Sequence, residues 1–385
     1  MPGPSFPSAL LWPMLAAVSA SEATAAFVHE LARMTATEEG LRPPLVRPPW
    51  TTPNRAELEL TTLSLLDFST AAASPNGRGA VPPTVICAPY ALHGATVADF
   101  APGHSLVEAL LAAGRRDLHL VEWRSATPGM RDFTIDTLMA DLNVAIDDLP
   151  GPVDMIGVCQ GGWMALLFAA RFPTKVRRLV VAGAPLDLEA GDSGLARIAA
   201  ATPLARFAEL LRLGDGRLLG QLMLGLWGAP PNTPEAIRRE LQLPEPHPDL
   251  APEPDEEPLM QRFREWYDWT IDLPGPYYLQ VVQWLYKENR LVRGTFTVLG
   301  RRIDLSAVRL PVLLLAGGDD TVVGTTPVLA AAAALGTAAG DLAAVEVPAT
   351  HLGLFMGRRS LTETWPRIVA WLDRPEPRSP APRPA

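Results

Sequence analysis

The chain of 385 residues is long enough for one large α/β domain with an insertion, or for two domains. Hydrophobic residues make up 48% of it, which excludes global disorder, and its net charge of -9 argues against a nucleic-acid-binding protein. The two cysteines, Cys87 and Cys159, are too few for a disulfide framework, so we expect a cytoplasmic protein.

Residues 1–55 are predicted to form a helical and extended region ahead of the main domain. An apolar stretch at residues 9–20 has no basic residue before it, which argues against a signal peptide. It is also too short to cross a bilayer. We predict an amphipathic helix over residues 9–33 that packs on the body of the protein, followed by an extended proline-rich stretch at residues 43–53.

Short apolar segments alternate with segments of helical pattern through the first half of the chain. The predicted strands lie within residues 57–68 and at residues 84–88, 118–122, 153–158 and 178–182. The predicted helices lie between the later strands, at residues 105–113, 135–149 and 163–172. Alternation at this spacing is typical of a mostly parallel sheet flanked by helices.

The alternation stops in the second half of the chain and returns near its end. We predict a helical cap over residues 185–308, inserted after the sixth strand, with a mobile loop rich in proline and acidic residues at 243–258. The Pro-rich tail, residues 374–385, is predicted to be disordered. The predicted core comprises residues 56–184 and 309–373, the latter with strands at 311–316 and 343–347 and a helix at 361–372.

The motif around which the predicted site is built is Gly157-x-Cys159-x-Gly161, at the turn from a predicted strand to a predicted helix. This is the pattern of the nucleophile elbow of the α/β-hydrolase fold, with cysteine in place of serine. The glycines remove side chains that would clash in so sharp a turn. The helix N-terminus favours a thiolate and supplies backbone N–H groups. The alternative is a buried cysteine in an ordinary strand-to-helix turn.

An α/β-hydrolase site also needs an acid and then a histidine later in the chain. Asp319 and Asp320 follow the predicted strand at residues 311–316, and acids at the carboxyl ends of parallel strands face the active-site edge. We predict Asp320 as the acid, with Asp319 as the alternative and a solvated turn as the non-functional interpretation. We predict His351, after the last strand, as the base that deprotonates Cys159 or pairs with it; the alternative is a structural loop histidine.

Two backbone N–H groups are predicted to form the oxyanion hole. One belongs to Gln160, next to the nucleophile, and the other to the loop at residues 89–94, where His93 is our candidate. Cys87 lies inside a predicted strand and is interpreted as an inert core thiol. The sequence shows no cluster of metal ligands and no phosphate-binding loop, so we predict neither a metal nor a cofactor.

With these residues the chain resembles the polyhydroxyalkanoate synthases, which have the α/β-hydrolase fold. The stretch from Gly157 to Gly162 is similar to the family's cysteine-containing lipase box, and Asp320 and His351 lie where its acid and base lie. The length is similar to that of the short synthases that work with a separate second subunit. Further segments that resemble the family are Val121-Glu122-Trp123-Arg124, Leu273-Pro274-Gly275 and Glu288-Asn289-Arg290-Leu291.

The resemblance implies an acyltransferase that polymerises (R)-3-hydroxyacyl-CoA into a polyester through a covalent thioester on Cys159. The coenzyme A thioester is then the substrate, and no separate cofactor takes part. The implied partners are the growing polyester chain and either a second copy of the chain or a second synthase subunit, in the cytoplasm on polyhydroxyalkanoate granules. Cysteine suits this chemistry because one thioester replaces another at almost no net cost.

Two other functions remain open at this point. If water enters the site, the same three residues make an esterase, a thioesterase or a polyester depolymerase. The third function is that of an inactive, granule-associated relative. An assay of coenzyme A release with product analysis separates the three. Synthesis gives insoluble polymer, hydrolysis gives free acid, and the inactive relative gives neither.

Overall fold

The computed structural model describes residues 45–70, 81–224, 233–244 and 256–375. The helix predicted over residues 9–33 and the predicted tail from residue 376 onward lie outside the described residues. The centre of the fold is an eight-stranded sheet. Its strands are β1 (Arg55–Glu59), β2 (Leu63–Asp67), β3 (Thr84–Cys87), β4 (Leu118–Trp123), β5 (Val153–Val158), β6 (Val176–Ala182), β7 (Val312–Gly317) and β8 (Leu342–Val347).

The order of the strands across the sheet is β1-β2-β4-β3-β5-β6-β7-β8. Strand β2 runs antiparallel to both of its neighbours, and all the other neighbouring pairs of this sheet are parallel. This architecture is the α/β-hydrolase fold, as the sequence predicted. The helices between the strands of the first half are α1 (Leu106–Ala112), α2 (Ile135–Asp147) and α3 (Gln160–Arg171).

The segment between β6 and β7 is an insertion whose described residues are mainly helical. Most of the loop predicted at residues 243–258, namely residues 245–255, lies outside the described residues, and the last three predicted loop residues belong to a helix that begins at Glu256. Pro258 fits in its first turn, where a backbone N–H has no helical partner to lose. The helices are α4 (Gly194–Ala201), α5 (Leu204–Leu213), α6 (Gly220–Leu224), α7 (Pro234–Leu241), α8 (Glu256–Asp268) and α9 (Gly275–Gln280), which continues as a π-helix at Val281–Lys287.

After the chain returns to the sheet at β7, the described residues contain three further α-helices, the first between β7 and β8 and the other two after β8. They are α10 (Thr325–Leu329), α11 (Gly353–Met356) and α12 (Trp365–Leu372). Three short ladders lie outside the main sheet: Asp99–Ala101 with His104–Ser105, Arg217–Leu218 with Leu273–Pro274, and Thr297–Val298 with Arg301–Arg302. Across the described ranges, every helix is too short or too polar to cross a membrane.

Apolar side chains cover both faces of the sheet, as expected for parallel strands between two layers of helices. In β5, Met155 packs in a cluster that contains the buried residues of α2 and α3. The next residue, Ile156, packs in the opposite cluster with those of α1 and α12. The strand that leads to Cys159 is therefore buried along its whole length.

A buried ion-pair cluster anchors the start of β5. Asp154 is fully buried and pairs with Arg177 and with Arg115, whose Nη1 lies 2.8 Å from Asp154 Oδ2. Arg115 is only 1% exposed, and its Nη2 also contacts Asp373 at 2.9 Å. Removal of one partner from such a cluster leaves an uncompensated buried charge, which strongly destabilises the folded state.

We expect Asp154→Asn to lower the free energy of unfolding by about 3–5 kcal/mol, because Arg115 and Arg177 lose the carboxylate they share. Chemical denaturation followed by circular dichroism measures the change. Asp373→Asn is the matched control, since that side chain is 48% exposed. Its effect should stay below about 1 kcal/mol. Equal losses in the two variants would contradict the role of Asp154 as the anchor.

Candidate active site

Cys159 lies at the sharp turn between β5 and α3. Its backbone has φ of 51° and ψ of -122°. Residues other than glycine rarely adopt a positive φ. Backbone strain of this kind is concentrated at functional sites. The N–H of Cys159 donates to the carbonyl oxygen of Ala182 at 2.9 Å, which ties the turn to the end of β6. The half-buried side chain is thereby held at the carboxyl ends of the parallel strands.

Three glycines allow the turn to form. A β-carbon on Gly157 would lie 2.4 Å from the α-carbon of Gly162, and one on Gly162 would lie 2.4 Å from the β-carbon of Ala184. A β-carbon on Gly161 would lie 2.0 Å from the carbonyl oxygen of Cys87, at the end of β3. Contacts this short are not tolerated, so α3 approaches the sheet only because these positions lack side chains.

The structure brings Cys159, His351 and Asp320 together in one hydrogen-bonded series. His351 Nε2 lies 3.1 Å from Cys159 Sγ, and His351 Nδ1 lies 2.8 Å from Asp320 Oδ2. The other carboxylate oxygen of Asp320 accepts the backbone N–H groups of Val322 and Val323, both at 2.9 Å. The two oxygens of Asp320 therefore have separate partners, and one of them is directed at the imidazole.

The charges in this series shift the pKa values of His351 and Asp320 in opposite directions. Burial alone would lower the pKa of His351, but the charges of Asp320 and Cys159 and the hydrogen bonds to both raise it well above 6.5. Burial alone would raise the pKa of Asp320, but the charge of His351 and the hydrogen bonds it accepts lower it below 3.8. Asp320 is thus a carboxylate at neutral pH, and it favours a protonated imidazole.

Asp319, the alternative acid, has a different environment. Its side chain is 55% exposed and lies 3.9 Å from Arg239. The carboxylate that accepts the hydrogen bond from His351 Nδ1 is that of Asp320. Adjacent residues after a strand point in different directions, so only one of the two carboxylates reaches the histidine.

The two residues predicted to supply oxyanion-hole N–H groups both border Cys159. Gln160 is the first residue of α3, and its Oε1 accepts a hydrogen bond from Trp163 Nε1 at 2.8 Å. The ring of His93 lies 4.5 Å from that of Trp266, between centroids, and its Nδ1 lies 3.4 Å from the carbonyl oxygen of Trp269. Burial lowers the pKa of His93 to about 4, so its side chain is neutral at pH 7. Their role as oxyanion donors stays a prediction.

A cavity of about 230 Å³, here called the Cys159 cavity, opens beside the series. Cys159, His351 and His93 line it, and most of its remaining wall is apolar. The insertion contributes a substantial share of that wall, namely Leu195, Met223, Glu240, Trp266 and Tyr267. Such a site can hold an acyl chain next to the cysteine.

Two residues of the insertion lie at the site although no sequence signal pointed to them. Tyr286, in the π-helix, lies close to Gln160 and is near enough to Cys159 for charge on the sulfur to affect its pKa. Burial raises the pKa of Tyr286 well above 10, so it is a neutral phenol. Glu240, near the end of α7, lines the Cys159 cavity. Neither residue belongs to a local motif, so only the tertiary structure reveals them.

Proteins similar to this chain include poly(3-hydroxyalkanoate) polymerase subunits. The chain is 28% identical to the poly(3-hydroxyalkanoate) polymerase subunit PhaC of Synechocystis sp., over 71% of this chain and 73% of that protein. It is 25% identical to the subunit of the same name from Allochromatium vinosum, over 78% and 83%. The family model described as PHB de-polymerase C-terminus matches residues 250–376. A solved monoacylglycerol lipase from Paleococcus ferrophilus is 18% identical, with a TM-score of 0.46 over 81% of this chain and 98% of that one.

The fold and the site define an α/β-hydrolase-fold protein with a cysteine at the elbow position. The resemblance to the polyhydroxyalkanoate synthases that the sequence predicted is confirmed by the relatives and by the family model. The chain is therefore similar to polyhydroxyalkanoate synthases over most of its length.

The geometry predicts the titration of His351. In an NMR titration its pKa should lie above 6.5, because Asp320 stabilises the imidazolium. The stabilisation that this pair gives the fold is then fully present between about pH 3.8 and pH 6.5. It is lost as the pH rises through the pKa of His351 in the folded protein, and also as the pH falls through the lowered pKa of Asp320. Asp320→Asn should lower that pKa, whereas Asp319→Asn should leave it nearly unchanged. The reverse result would assign the acid to Asp319.

Proposed function

We propose that the protein is an acyltransferase that polymerises (R)-3-hydroxyacyl units from coenzyme A thioesters into a polyester. The observation that carries the proposal is the hydrogen-bonded series of Cys159, His351 and Asp320 at the wall of a largely apolar cavity. The similarity to two poly(3-hydroxyalkanoate) polymerase subunits supports the choice of substrate. In this proposal Cys159 is the nucleophile, His351 the base and Asp320 the residue that orients it.

The first step transfers the acyl group to the enzyme. His351 Nε2 takes the thiol proton of Cys159, and Sγ attacks the carbonyl carbon of the substrate thioester. The bond from that carbon to the coenzyme A sulfur breaks, and the leaving thiolate takes the proton back from His351. Asp320 accepts the Nδ1–H of His351 throughout, which fixes the tautomer and stabilises the imidazolium.

The negative charge that develops on the carbonyl oxygen needs donors on the side away from His351. We place the backbone N–H of Gln160 there, because the first N–H groups of a helix have no partner within the helix. The backbone N–H of His93 is the proposed second donor, since His93 lines the same cavity.

The second step forms the ester bond. The hydroxyl group of another 3-hydroxyacyl unit attacks the Cys159 thioester, and His351 accepts the hydroxyl proton. The bond from carbon to Sγ then breaks, and the leaving thiolate takes this proton from His351, which restores the thiol. Polymer forms only if this hydroxyl reaches the thioester more often than water does. The apolar residues of the insertion that line the Cys159 cavity favour this outcome. The proposed steps use side chains and the coenzyme A thioester alone.

Hydrolysis by the same three residues is the second candidate function. The match of residues 250–376 to the family model described as PHB de-polymerase C-terminus favours it. In this case water takes the place of the hydroxyl group in the second step, and the product is a free acid. The two functions differ in what attacks the thioester, so the products distinguish them.

The proposal extends to partners and location. Both relatives are named polymerase subunits, which supports a second subunit or a second copy as the partner of this chain. An insoluble polyester product would hold the enzyme at the surface of polyester granules, in the cytoplasm where acyl-CoA is available.

We expect Cys159→Ala to abolish coenzyme A release from 3-hydroxybutyryl-CoA and acyl labelling of the protein, while the fold remains intact. The reason is that the nucleophile is lost and the only change is a smaller side chain. Intact mass spectrometry after incubation with substrate detects the missing acyl group. Cys87→Ala is the matched control and should still be labelled, since Cys87 is fully buried and burial raises its pKa to about 12. Acyl labelling that persists in Cys159→Ala and is lost in Cys87→Ala would refute the assignment of Cys159 as the nucleophile.

We expect His351→Gln to reduce the rate of coenzyme A release by on the order of a thousandfold, because the base and the imidazolium are both lost. Asp320→Asn should also be severe, with Asp319→Asn as its control. The wild-type reaction should give insoluble polyester together with the released coenzyme A. Free 3-hydroxyacid as the sole product would instead establish the hydrolase, and absence of both products would reject either activity.

A further inference from the structure

A carboxyl group of the insertion lies in the wall of the Cys159 cavity. It belongs to Glu240, near the end of α7. Gln242, just after this helix, ties it to the core: its Nε2 donates to the carbonyl oxygen of Pro348 at 3.3 Å, and its Oε1 accepts the N–H of Ser360 at 2.8 Å. Glu240 is therefore carried by an element that is fixed relative to the loop of the histidine.

One oxygen of Glu240 is occupied by a protein donor. Thr350 Oγ1 accepts the N–H of Gly353 at 3.1 Å and donates its own hydrogen to Glu240 Oε2 at 2.6 Å. Because a hydroxyl has a single hydrogen, Thr350 cannot serve another acceptor. Among the described residues, Oε1 of Glu240 has no hydrogen-bond partner.

The surroundings of this oxygen make an open acceptor costly. Burial raises the pKa of Glu240, even though the hydrogen bond from Thr350 and the charge of His351 oppose the shift. Nearby parts of the cavity wall are apolar, including Leu195, Met223 and Phe355. Glu240 is half-buried, and a carboxylate oxygen beside a largely apolar cavity is better stabilised when it finds a hydrogen-bond donor. A ligand that brings a donor to this position relieves the penalty.

We propose that Glu240 Oε1 accepts a hydrogen bond from the hydroxyl group of an acyl chain bound at Cys159, and that the site thereby selects hydroxyacyl over plain acyl thioesters. The inference rests on the proposed function, because it requires an acyl chain on Cys159. A site with a buried group for a substrate hydroxyl rejects the analogue that lacks it, since the protein group then stays unpaired. An apolar cavity alone has no such means of discrimination.

The test compares acylation of Cys159 by 3-hydroxybutyryl-CoA and by butyryl-CoA in single-turnover experiments, with mass spectrometry as the readout. The wild type should prefer the hydroxylated thioester. Glu240→Met, which keeps the side-chain length and removes the acceptor, should reduce the preference by about tenfold to a hundredfold. Glu240→Gln keeps the shape and a weaker, uncharged polar group, so its preference should be intermediate. Glu235→Met, on the exposed face of the same helix, is the control and should keep the wild-type preference.

The ratio of the two rates separates recognition from a structural role. A variant that merely disturbs the loop of His351 slows both thioesters by the same factor and leaves the ratio unchanged, and that result would overturn the proposal. If Glu240→Met does not fold, an unchanged ratio in Glu240→Gln has the same meaning. If the wild type is acylated by neither thioester, the proposed function itself fails. Acylation with equal rates for both thioesters in the wild type refutes only the role of Glu240.

Discussion

The close approach of helix α3 to the end of strand β3 is the constraint on which the rest of the site depends. Gly161 lies so near the Cys87 carbonyl oxygen that a β-carbon would be 2.0 Å away. With the helix this close to the sheet, the chain has to reverse its path within a single residue. That residue is Cys159, and its positive φ is the consequence. The sulfur is thereby placed where the loops that follow β7 and β8 bring Asp320 and His351.

Much of this arrangement was predictable because it depends on local patterns. The sequence itself shows the strand before Cys159 and the glycines around it. It also shows the order in which the nucleophile, the acid and the histidine follow one another. The sequence favours Asp320 over Asp319 as the acid, and Asp320 is the carboxylate that lies within hydrogen-bonding distance of His351. The sequence pattern does not show how the Asp320 side chain is oriented. In the structure, the backbone N–H groups of Val322 and Val323 donate to its Oδ1, which leaves Oδ2 for His351.

The insertion was predictable as a helical segment but not in its contributions to the site. Thr350 and Glu240 are 110 residues apart, and no periodicity or motif relates them. Tyr286 reaches Gln160 from a π-helix, a geometry for which the sequence carries no clear signal. The start of α8 at Glu256 was missed because prolines and acids together suggest a loop, although both are favourable in the first turn of a helix. Long-range contacts of this kind follow from packing, and only a structure reveals them.

The order in which the three residues enter the fold has a consequence for biosynthesis. His351 follows Cys159 by 192 residues, with the whole insertion between them. During translation the strained turn and its thiol emerge first, while the imidazole and the carboxylate that it needs are still to be made. A nascent chain therefore presents Cys159 without its imidazole partner, and the hydrogen-bonded series is complete only when nearly all of the described domain has left the ribosome.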